Sequence, residues 1–151
     1  MTATPNFDIY VADPATACNV WEFPSNVVPQ SKFATDLWVE YFKSLGLVTQ
    51  SAPFGNCGTD SNSFSLIGTP NTGVLTMQDC CKSQQEVNIW GGYVGNYEGT
   101  VPGFDGGCCD YPGRWCDNLD NNDATVFAVV SKATAWVTLK LANHPFDLTH
   151  P

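Results

Sequence analysis

The sequence is short of positive charge. It holds one arginine, Arg114, and five lysines against 15 acidic residues, for a formal net charge of −9 at pH 7 in 151 residues. Phosphate backbones and anionic headgroups are bound by clustered Lys and Arg. The scattered lysines exclude nucleic acid and membrane surfaces as expected partners. Charge of either sign is scarce: 14% of residues are charged, where soluble domains carry ~25%. Ser, Thr, Asn, Gln and Gly must then cover much of the surface, which suits an extracellular protein.

Long hydrophobic runs are also missing. The longest apolar stretch, 133–141, is broken by Thr134, Thr138 and Lys140, whereas a membrane span needs ~20 apolar residues. The first six residues contain neither the basic segment nor the apolar core of a signal peptide. The chain reads either as cytosolic or as a mature secreted form with an added Met1, and its cysteines favour the second.

Several catalytic signatures are absent. There is no G-x-S-x-G to place a serine on a sharp turn, and no G-x-x-x-x-G-K-[ST] to cradle phosphate. The two histidines, His144 and His150, each precede a proline near the end of the chain, so a catalytic pair using either would depend on an ordered tail. No C-x-x-C occurs, and both histidines lie far from the cysteines, which weakens a structural zinc site.

Cysteine is the residue present in excess. Cys18, Cys57, Cys80, Cys81, Cys108, Cys109 and Cys116 read as three disulfides and one cysteine left over, free or linking two chains. Adjacent cysteines rarely bond each other, because the small ring strains the peptide. Cys80 and Cys81 should therefore each reach elsewhere, and so should Cys108 and Cys109. A bridge from Cys80 or Cys81 to the 108–116 cluster would pin the intervening segment. The connectivity otherwise stays open.

Hydrophobic periodicity then suggests the fold. Phe7, Ile9 and Val11 alternate as one face of a half-buried strand, which Asp13-Pro14 stops. Residues 12–30 hold Pro14, Pro24 and Pro29 and read as loop. The clearest helix spans about 32–45, with Ser31 as N-cap and Gly46 just past its end. Phe33, Leu37, Trp38, Tyr41, Phe42 and Leu45 share its apolar face.

Short strands are expected at 64–67, 74–77 and 86–90, the last with Val87 and Ile89 inward and Asn88 and Trp90 outward. Residues 125–130 and 134–141 read as a hairpin, with Ala135, Val137, Leu139 and Leu141 inward and Trp136 outward. A single long helix there is the rival, opposed by seven β-branched residues. The expectation is one α+β domain over 1–151: a small antiparallel sheet, one main amphipathic helix and disulfide-stapled loops. A mostly β sandwich or barrel is the alternative.

Three groups of residues could carry function. Residues 91–113 hold eight glycines and two prolines, punctuated by aromatics. There Tyr93, Tyr97 and Tyr111, followed by Trp115, join Asn88, Trp90, Asp105 and Trp136 as a candidate ligand surface. A sugar presents an apolar face to an aromatic ring while its hydroxyls need amides and carboxylates. Tyr and Trp equally favour a protein interface, and a second layer of structure could bury them instead.

Asp117, Asp120 and Asp123, interleaved with Asn118, Asn121 and Asn122, could supply oxygens to Ca²⁺. The run is not an EF-hand, since Leu119, Thr125 and Ala128 stand where ligands would be needed. A plain turn in which Asp and Asn bond their own backbone is the alternative. Lastly, Glu98, Asp105 and Asp110 could include a glycosidase-like carboxylate pair.

The expected function is a secreted, non-enzymatic binding protein, lectin-like, with no cofactor unless Ca²⁺ binds the Asp run. The alternatives are a secreted interaction or self-assembling protein, whose odd cysteine would help form a homo-oligomer, and a small carboxylate hydrolase.

Overall fold

A computed structural model describes residues 9–17, 19–53, 60–75, 83–91 and 124–145. Strand β1, Ile9–Asp13, is the centre of a three-stranded sheet. β2, Thr49–Pro53, lies parallel to it on one side, pairing Ile9 with Thr49 and Asp13 with Pro53. β3, Val74–Leu75, is antiparallel on the other side, pairing Tyr10 with Leu75 and Val11 with Val74. The sheet is therefore mixed, where the sequence suggested an antiparallel one.

The expected half-buried strand is in fact covered on both faces. Ile9, Tyr10 and Val11 are all buried, and successive side chains of a strand point to opposite faces. A central strand beside a parallel neighbour carries such continuous burial.

Helix α1, Val27–Ser44, is the crossover that a parallel β1–β2 pair requires. It starts five residues earlier than the sequence suggested. Pro29 sits in its first turn, where a missing N–H costs nothing. Ser31 is not the N-cap. It is buried inside the helix, and its hydroxyl accepts the Asn71 N–H at 3.0 Å.

The C-terminus of α1 ends as expected. Gly46 has φ +73°, its N–H donates to Lys43 O, and the Leu47 N–H donates to Phe42 O, both at 3.0 Å. That pair of bonds is a Schellman turn, whose left-handed residue favours glycine. Of the expected apolar face, Leu37, Trp38 and Phe42 are buried, Phe33 and Tyr41 are half-buried, and Leu45 is exposed.

Three short or long helices stand where strands were expected. α2, Asp60–Leu66, covers part of the 64–67 strand. α3, Gln84–Trp90, replaces the 86–90 strand. Its N-terminus is a capping box: the Ser83 hydroxyl accepts the Glu86 N–H at 3.2 Å, and the Glu86 carboxylate accepts the Ser83 N–H at 2.6 Å.

The C-terminal hairpin is one helix, α4, Ala124–Ala142. Its buried residues are Val126, Ala133 and Val137, with Val130, Trp136 and Leu141 half-buried. This is helical spacing, three to four residues apart. The Thr134 hydroxyl folds back onto Val130 O at 2.9 Å, so its polar group is satisfied within the helix.

Ile9, Val11, Leu37, Trp38, Phe42, Ala133 and Val137 form the core, so α1 and α4 share one face of the sheet. A polar belt ties the 60–73 segment to α1. Thr35 Oγ1 donates to Ala12 O at 2.8 Å and bonds Thr72 at 3.1 Å. Asn71 Nδ2 donates to Ser65 Oγ at 2.9 Å, and Asn26 Nδ2 to Gly68 O at 3.1 Å. Among the described residues the class is α+β, with four α-helices, two of them long, and no β sandwich or barrel. All seven cysteines, and with them the expected disulfide staples, lie outside the described residues.

Candidate functional site

Three of the eight candidate ligand residues fall within the described structure: Asn88, Trp90 and Trp136. Trp90 ends α3. Its ring meets the buried Tyr10 edge-on, with centroids 5.1 Å apart, and its Nε1 donates to Val48 O at 3.1 Å. The Tyr10 hydroxyl in turn donates to Glu86 Oε1 at 2.5 Å. Tyr10, Glu86 and Trp90 thus dock α3 on the face of β1 opposite Ile9 and Val11. Asn88 is exposed, and its amide oxygen accepts from Gln84 one turn earlier at 3.0 Å.

Trp136 is half-buried at the seam between α4 and α1. Its ring lies 5.5 Å from that of Tyr41, with Lys140 Nζ 5.0 Å from its centroid. Nearby, His144 stacks on Phe33 at 4.2 Å. The strand patterns of 86–90 and 134–141 predict Trp90 and Trp136 outward on strands. Both sit on helices, and both rings pack against neighbouring elements. Their ring contacts involve different residues, so the structure does not assemble them into one surface.

Tyr93, Tyr97, Asp105, Tyr111 and Trp115 lie outside the described residues, as do Asp117, Asp120 and Asp123. The carboxylate pair drawn from Glu98, Asp105 and Asp110 lies there too. Among the described residues, no group of three or more His, Cys, Asp or Glu side chains could hold a metal ion. The nearest thing to a reactive pair is Tyr10 with Glu86. Tyr10 is only 4% exposed beneath Trp90, and Glu86 is half-buried.

The structure exposes a different set of large apolar side chains. Trp21, in the 3₁₀ turn Val20–Glu22, is 76% exposed, and Ile67, just past α2, is 77% exposed. On α4, Phe127 is 70% and Leu139 63% exposed. Ala128, Ser131, Ala135, Thr138 and Ala142 lie exposed along the same helix, whose only charges are Lys132 and Lys140. The strand pattern puts Leu139 on an inward face and Ile67 and Phe127 within short strands, because a short apolar stretch fits a strand as well as a helix; all three are exposed instead. Trp21 lay in a proline-rich segment with no periodicity to read.

α4 is the one helix among the described residues long and apolar enough to cross a membrane by length and composition, with a mean hydropathy of 1.3. Its apolarity comes from two faces, one packed against α1 and one outward. Compared with known proteins, the chain matches no family model and no curated sequence.

Proposed function

We propose that this chain is a secreted protein that works by binding, with a protein surface as its first partner class and glycan as its second. The observation that carries this reading is the exposure of Trp21, Ile67, Phe127 and Leu139. Isolated exposed aliphatics are ordinary on any protein. Trp21 and Phe127 are aromatic, the side chains enriched in interface cores, and Phe127 and Leu139 share the outward side of α4 on a domain poor in charge.

The second reading is glycan binding. Two of its aromatic rings, Trp90 and Trp136, are occupied in packing. It now rests on Tyr93, Tyr97, Tyr111 and Trp115 with Asp105. Secretion rests on the seven cysteines and the sparse charge. A second copy of the chain is the first protein surface to test, because an odd cysteine number leaves one thiol over for a bridge between chains.

Sedimentation over a wide concentration range, with and without reductant, together with a glycan array, separates the two readings. A mass that rises above the 16.4 kDa monomer with concentration supports self-contact, and specific array hits support glycan. A strict monomer that binds no glycan contradicts self-contact and glycan binding, and leaves a different protein as the partner.

A further inference from the structure

We draw no further inference here: the strongest candidate, the outward face of α4 with Phe127, Ala135 and Leu139, belongs to the exposed apolar surface already described, and nothing in the structure shows what covers it.

Discussion

Tyr10 joins two structural tasks in one side chain. Its ring fills the face of β1 that Ile9 and Val11 leave uncovered, and its hydroxyl reaches the Glu86 carboxylate at 2.5 Å. Hydrogen bonds to charged groups contribute about 1.5–3 kcal/mol each. Tyr10→Phe keeps the ring against Trp90 and removes the hydroxyl that makes that bond. It is expected to lower the unfolding free energy by an amount in this range, read from urea denaturation. An unchanged midpoint contradicts the proposed docking of α3. The same residue shows how a sequence reading fails. Alternation marks Tyr10 as an outward residue, because period two says which face a side chain takes but not whether another element covers that face.

Elements were legible where a local chemical stop accompanied the pattern. β1 ends at Asp13, whose carboxylate caps the following 3₁₀ turn by accepting from Ala15 N at 3.0 Å. α1 ends in the left-handed Gly46. The start of α1 was misplaced because a proline in the first turn looks like loop when read alone. α3 carries a readable signature, Ser83-x-x-Glu86, which the strand reading of 86–90 from the alternation of Val87 and Ile89 leaves out. β2 was silent, since Thr-Gln-Ser-Ala-Pro has no run of large apolar residues. Its ladder to β1, from Thr49 opposite Ile9 to Pro53 opposite Asp13, places it in the sheet.

The largest misreading was α4. Over eight residues, 134–141 satisfies strict alternation, and only the longer spacing of Val126, Val130, Ala133 and Val137 reveals the helix. The two readings make opposite demands on two alanines. In the hairpin, Ala133 lies in the turn and Ala135 faces the core. In the structure Ala133 is fully buried and Ala135 is exposed. Ala133→Asp would bury a charge without a partner, and it is expected to cost ~3 kcal/mol or more. Ala135→Asp is expected to stay within about 1 kcal/mol of the parent, as exposed helical positions do. Thermal and urea unfolding of the two variants compare them directly, and the reverse ranking would restore the hairpin.

For the molecule as a whole, much of the candidate site was named from residues 92–123, which fold rules based on periodicity reach least. Glycine-rich chain has no repeating apolar face to interpret, so its aromatics and aspartates stand as chemistry without geometry. The Asp117, Asp120 and Asp123 cluster has a direct thermal test. If it binds Ca²⁺, a hundredfold excess of the ion over its Kd stabilises the fold by about 2.7 kcal/mol. EDTA should then lower the melting temperature by several degrees, and Ca²⁺ added back should restore it. An identical melt in both conditions contradicts Ca²⁺ binding by the run.

Secretion, and with it the binding reading, depends on the state of the cysteines. Intact mass after alkylation in denaturant, with and without prior reduction, reads that state in one experiment. The account predicts one alkyl adduct on the unreduced protein and seven after reduction, matching three disulfides and one free thiol among the seven cysteines. A covalent dimer with no free thiol fits the same account. Seven adducts on the unreduced protein would contradict it.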